Sequence, residues 1–208
     1  MPKWCAGRRR SRTVAEKTIG IYLFEGFEEL DALGPWEVLA SWTQQYPDDG
    51  WRVRLVADTT SPVQAAKGAV IVPQEIRSGD VDVVIVPGGD GARAVMHDPK
   101  VLDWLRHVKE SGAVVVSVCT GALVLASAGL LRNRPATTYF AAFDELRAVD
   151  NSIDLRTDER WVDDGDIVTG AGISAGIDMA LHLVDRLVGT ERAREVRRHI
   201  QYDPEPPV

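Results

Sequence analysis

Long apolar runs are missing from this chain, and with them any segment able to cross a bilayer. Metal-ligand spacing is missing too. His97, His107, His182 and His199 stand far apart, so no metal site is expected. No histidine adjoins a cysteine, so a Cys–His dyad is not signalled. Cysteine itself is scarce: Cys5 and Cys119 are the only two. Cys5 lies in a basic leader, so a structural disulfide is not expected and a reducing cytoplasm is the default. A basic excess is also lacking. Thirty-one acids against 24 bases leave a net charge of -7, which repels nucleic acid and acidic membrane surfaces. Internal repeats, low-complexity stretches and interdomain linkers are absent.

What remains fits one soluble domain: 208 residues, 45% hydrophobic and 26% charged. The first 17 residues differ from the rest. Lys3, Arg8, Arg9, Arg10, Arg12 and Lys17 cluster there with a single acid, Glu16. A nucleic-acid arm is one reading of that cluster. A loose solvated extension, or a start codon placed too far upstream, is the preferred one. Residues 18–208 are then the domain.

β-branched, apolar stretches predict strands over Thr18 to Phe24, Trp51 to Ala57, Gly68 to Val72, Val81 to Val86 and Val114 to Val118. Helical spacing covers Glu28 to Gln45, with a break or kink expected at Gly34-Pro35. It returns over Lys100 to Glu110, the run after Cys119, Phe140 to Val149, and Ile173 to Val188. Short strands are expected at Ile153 to Leu155, Arg160 to Val162 and Ile167 to Thr169. The last two flank Asp163-Asp164-Gly165-Asp166, which is too short for a calcium loop and reads as a hairpin turn. The stripe Ile173, Ile177, Ala180, Leu181, Val184, Leu187 and Val188 reads as core, with His182 beside it. The proline-rich end, Tyr202 to Val208, cannot be helical. Strands alternating with helices predict a mostly parallel sheet covered on both faces, with the site outside the carboxyl ends of its strands.

Two segments fall at such ends. Cys119 joins the strand Val114–Val118 to an Ala/Leu-rich helical run. A cysteine there points out of the sheet toward the positive end of a helix, which favours the thiolate. The alternative is a buried, inert cysteine. Gly121 suggests a close approach of backbone or ligand. The turn Pro87-Gly88-Gly89-Asp90-Gly91 offers amides for an oxyanion hole or anion nest. Its alternative is a tight turn chosen for positive φ. It is not a phosphate loop, because Ala92-Arg93 follows where Lys-Ser or Lys-Thr is needed. His97, shortly after that turn, is a candidate for the pocket rim. Gly170-Ala-Gly172-Ile-Ser-Ala-Gly176 lacks the spacing of a dinucleotide fingerprint and is assigned to tight packing. Asp31, between Leu30 and Leu33, is an acid in an inward-facing stretch. It is either paired and chemically active or a helix-start cap.

Several motifs, in their order and spacing, resemble the DJ-1/PfpI superfamily over about residues 18 to 207. They are Glu29-Leu-Asp31-Ala-Leu-Gly-Pro35-Trp-Glu-Val38, Val86-Pro-Gly-Gly89, Val118-Cys-Thr-Gly121, Ala136-Thr-Thr138, Thr169-Gly-Ala-Gly172-Ile-Ser-Ala-Gly-Ile-Asp178 and Tyr202-Asp-Pro-Glu-Pro-Pro207. Within it the chain looks most like the isocyanide hydratase group. The resemblance implies an α/β, flavodoxin-like three-layer sandwich with a mostly parallel central sheet, and a homodimer. It implies that Cys119 is the nucleophile, Asp31 its acid partner and Thr120 a hydroxyl near the sulfur. Backbone amides at Gly88, Gly89 and Thr120 would polarise the site, and Ile173 and Tyr139 would line it. A small-molecule substrate and no cofactor follow. A redox or regulatory protein and a glyoxalase-like enzyme are the alternatives. Two departures stand out: Thr120 where peptidase branches place His, and Thr137-Thr138-Tyr139-Phe140 where relatives commonly read Thr-Thr-His-Trp. Gln201 stands where an acid is frequent.

Overall fold

A computed structural model describes residues 16–203. The clustered arginines, Cys5 and the end of the proline-rich tail lie outside the described residues. The elements run β1 (Lys17–Tyr22), α1 (Glu29–Gln45), β2 (Trp51–Ala57), β3 (Val63–Gln64), β4 (Val70–Ile71), β5 (Glu75–Ile76) and β6 (Val83–Val86). Then come α2 (Ala92–Val95), α3 (Pro99–Glu110), β7 (Val114–Val118), α4 (Gly121–Ser127), β8 (Pro135–Ala136), α5 (Phe143–Val149), β9 (Asp154–Leu155), β10 (Trp161–Asp163), β11 (Ile167–Gly170), α6 (Ala175–Val188) and α7 (Thr190–His199).

Seven strands form the central sheet in the order β10-β11-β7-β6-β1-β2-β5, all parallel except β10. Its middle is fully sequestered. Val83–Val86 is buried at every position, as a strand covered on both faces must be. Helices α1, α6 and α7 pack together, while α2, α3 and α5 pack around α4. The result is a flavodoxin-like α/β sandwich. Strand order reverses between β1 and β6, because β2 lies on one side of β1 and β6 on the other. In such sheets the crevice at this switch, beyond the carboxyl ends of the strands, is where ligands bind.

Local differences from expectation have physical reasons. β1 begins at Lys17, whose partner in register is Trp51. The expected break at Gly34-Pro35 is absent, and α1 runs unbroken through Pro35. Both residues are buried where α1 meets α6. A Cβ on Gly34 would lie 3.1 Å from Ile177, and one on Gly176 would lie 3.3 Å from the Pro35 ring. Close packing holds the helix together despite the missing N–H. Ile173 is not part of the α6 stripe. The helix starts at Ala175, and Met179 and Leu183 are fully buried with Ala180 and Val184. The chain reverses at Gly189 (φ 100°) into α7, which no apolar pattern signals. Asp163–Asp166 is a hairpin turn between β10 and β11, as expected, with Asp164 N–H on Ile167 O at 2.9 Å.

Candidate active site

Three chain segments meet at the crevice. The loop after β1 enters α1 and brings Asp31. The loop after β6 brings Gly88 and Gly89. The joint between β7 and α4 brings Cys119 and Thr120. Close approach makes this possible: a Cβ on Gly121 would sit 2.2 Å from Val86 O, so the first turn of α4 can only pass β6 as glycine. The neighbour anticipated from Gly121 is therefore backbone, not ligand.

Cys119 has φ 57°, in the left-handed region that a residue with a Cβ enters at a cost. Its N–H donates to Gly170 O and Ala171 O, each at 3.0 Å, and its carbonyl accepts the Thr138 hydroxyl at 2.7 Å. These bonds from β11 and the segment before Tyr139 hold the strained turn. They leave Cys119, 6% exposed, in the lining of a cavity of about 190 Å³. Glu28, Ala66, Gly89, Asp90, Arg93, Thr120, Tyr139 and Ile173 line the rest of it. Ile173 is also left-handed, at φ 46°.

Asp31 is wholly buried. Oδ2 accepts the Gly88 N–H at 2.9 Å, and Cys119 lies close enough that each group shifts the other's titration. Oδ1 has no hydrogen-bond partner. Burial raises the acid from its ordinary 3.8 to about 7, and the nearby Glu28 charge adds to the rise. The Cys119 thiol is pushed up to about 12, first by burial and then by the Asp31 charge. This reverses the expectation of a helix-stabilised thiolate. α4 has only seven residues, and desolvation outweighs its terminus. The backbone amides of Thr120 and Ile173 oppose the rise.

The two groups therefore titrate as a pair. Below about 7 the pair carries two protons, and between about 7 and about 12 it carries one. In the one-proton form the sulfur keeps the proton and Asp31 stands beside it as the carboxylate.

The oxyanion roles expected of Gly88 and Gly89 do not fit the geometry. Gly88 N–H is spent on Asp31. Gly89 N–H donates to Thr120 Oγ1 at 2.9 Å, while that hydroxyl donates to Gly89 O at 3.2 Å. The Thr120 hydroxyl is thus a brace between the two loops rather than a partner of the sulfur. Tyr139 and Ile173 line the cavity. His97 is exposed and outside it, and no histidine lines it. His182 is half-buried and bonded to Asp163 at 2.7 Å. Asp90 belongs to the glycine turn singled out from sequence, whereas Glu28, Ala66 and Arg93 were not singled out. Ala66 comes from the β3–β4 hairpin, and nothing in its sequence marks it. Glu28-Glu29 is an acidic pair beside Asp31, and that clustering was the available sign. No group of His, Cys, Asp or Glu able to hold a metal occurs among the described residues.

The profile of the DJ-1/PfpI family matches residues 17–186. This chain belongs to that family. It is 40% identical to the isonitrile hydratase of Pseudomonas putida over 191 residues, covering 91% of this chain and 80% of that protein. A glutathione-independent glyoxalase of Caenorhabditis elegans is 26% identical over 83% of this chain and 89% of its own length. Among solved structures, a ThiJ/PfpI family protein from Pseudomonas syringae superposes with a TM-score of 0.83 at 29% identity, over 100% of this chain and 84% of that one.

Proposed function

We propose that the protein hydrates small organic isocyanides to N-substituted formamides, with Cys119 as nucleophile and Asp31 as the proton carrier. The observation that carries this reading is the sealed Asp31 carboxyl beside the Cys119 thiol, holding one proton between them above about pH 7. The similarity to the Pseudomonas isonitrile hydratase supports the substrate class.

The steps balance as follows. Asp31, as the carboxylate, takes the thiol proton while the sulfur attacks the terminal isocyanide carbon, and then delivers that proton to the same carbon. The product is a thioimidate, R–N=CH–S–Cys119. Asp31, now a carboxylate, takes a proton from water as the oxygen adds to the same carbon. Asp31 passes the proton it took from water to the nitrogen, and as the C–S bond breaks the added hydroxyl gives its proton to the departing sulfur, so R–NH–CHO leaves with the thiol restored. A carboxyl titrating near 7 suits both halves, since the same group must give and take a proton near neutral pH. Amides of Thr120 and Ile173 would ease the charge that develops on the sulfur as it attacks and as it departs. No cofactor is called for.

The cavity, at about 190 Å³, holds about six waters' share of liquid volume, room for a compact alkyl or aryl group. Ala66, Tyr139 and Ile173 supply its apolar lining. The absence of a lining histidine removes the base that glyoxalase-like chemistry would call for. A homodimer is proposed with this reading, to be checked by light scattering. The described helices include none long and apolar enough to cross a membrane.

The test is turnover of a panel of alkyl and aryl isocyanides, with Cys119 shown by mass to be reduced. Formamide release is expected. No turnover of any member by reduced protein overturns the reading.

A further inference from the structure

An ion pair at the mouth of the cavity has no part in the steps above. Glu28 ends the loop after β1. Its N–H donates to Gly88 O at 2.8 Å, and its carbonyl accepts the Asp31 N–H at 3.2 Å. Its side chain is 13% exposed and lines the cavity with Cys119. The partner is Lys67, at the tip of the β3–β4 hairpin, whose Nζ bonds Glu28 and lies 3.8 Å from Glu29 Oε2.

The hairpin tip is seated by more than this pair. Ala66 N–H donates to Phe27 O at 2.8 Å, and Lys67 N–H donates to Glu29 Oε1 at 2.7 Å. The cation is thus delivered to a fixed place beside the acids that open α1. Around Asp31 stand Glu28 and Glu29 from that loop and helix, Lys67 from the hairpin and Cys119 from the β7–α4 joint. Asp90 and Arg93 sit farther out on the rim, and Arg93 is held by Glu145 at 2.7 Å.

We propose that Glu28 and Lys67 are opposed positioning residues for the proton of the Asp31–Cys119 couple, Glu28 holding it on the pair and Lys67 restraining Glu28. The inference rests on reading Asp31 and Cys119 as the reacting couple. Neither residue need touch substrate: each acts through Asp31. The charges act in opposite senses on that carboxyl, Glu28 raising it and Lys67 lowering it. Charge is a property of the side chain, while packing is shared by its neutral isostere. The two roles therefore separate in a titration.

The experiment follows alkylation of Cys119 by iodoacetamide against pH, reading the Cys119 peptide by mass so that Cys5 does not interfere. In the parent the rate rises through about 7, as Asp31 becomes the carboxylate that takes the thiol proton during attack, then levels off. Glu28→Gln removes a negative charge, so the midpoint falls, by about half a pH unit, about threefold in rate on the rising limb. Lys67→Met removes a positive charge, so the midpoint climbs, by less than the Glu28→Gln fall because Lys67 is the more exposed of the two. Lys67→Arg keeps the charge and the parent midpoint. A purely structural role changes the plateau rate without moving the midpoint. Opposite shifts with arginine rescue support the inference, and any other pattern overturns it. The readout needs no isocyanide. Opposite shifts without turnover would sink the hydratase reading alone, and turnover with fixed midpoints would sink this one alone.

Discussion

Asp31→Asn should make the protein more stable and nearly inactive. The carboxyl is fully buried, and its rise from 3.8 to about 7 means the folded state resists losing that proton. At about 1.4 kcal/mol per tenfold change, the resistance is worth about 4 kcal/mol. The sign follows from linkage. The folded-state value is raised, so the proton's contribution is complete below the unfolded value of 3.8 and is lost as pH climbs through about 7. Parent stability should therefore fall between pH 4 and pH 8 through this group, by up to about 4 kcal/mol. Asn keeps an oxygen for the Gly88 N–H, now at 2.9 Å from Oδ2, and carries no charge at any pH. The variant should match the parent near pH 4 and exceed it at pH 8 by about 2–4 kcal/mol, or about 10 °C in midpoint for a chain of this size. Urea titrations of both proteins at the two pH values measure it. A variant that is less stable than the parent at pH 8, with the same pH dependence, would refute the placement of an ionisable buried carboxyl beside the thiol. Turnover should fall by at least about a thousandfold, since proton delivery and water activation are both lost.

Cys119→Ala and Cys119→Ser should abolish turnover while circular dichroism stays native, since a buried methyl or hydroxyl replaces a small thiol. Unfolding of both would return Cys119 to a packing role. Thr120→Val keeps the shape but strands the Gly89 N–H that Oγ1 accepts at 2.9 Å, so it should cost about 1–3 kcal/mol in chemical denaturation. Gly89→Ala should be worse. Its φ is 111°, and the new Cβ would meet Glu28 N and Gly26 O at 2.4 Å, so a large loss of soluble, folded protein is expected on expression.

Much of the fold is legible because its strands are short β-branched runs between clear turns. Val83–Val86 and Val114–Val118 cannot be read otherwise, and both end at the site. Cys119 and Asp31 were visible for the same reason: one stands at a strand–helix joint, the other is an acid among inward-facing residues. What the one-dimensional pattern hides is how donors are allotted. Gly88 and Gly89 look like free amides, yet each is claimed by a side chain brought from a distant segment. Helix polarity also misleads at Cys119, because depth of burial is a tertiary property that no local pattern carries. α7 is hidden for a simpler reason. Val196 is its one buried residue, so it lacks the apolar stripe that marks α3 and α6.

The decisive measurement is an acid quench of the protein early in reaction with a small alkyl isocyanide, followed by mass analysis of the Cys119 peptide. A covalent thioimidate requires that peptide to gain the full mass of the isocyanide in step with formamide release, and Cys119→Ser to gain nothing. Formamide appearing at an undiminished rate from the serine variant, with no adduct on the parent, would contradict it.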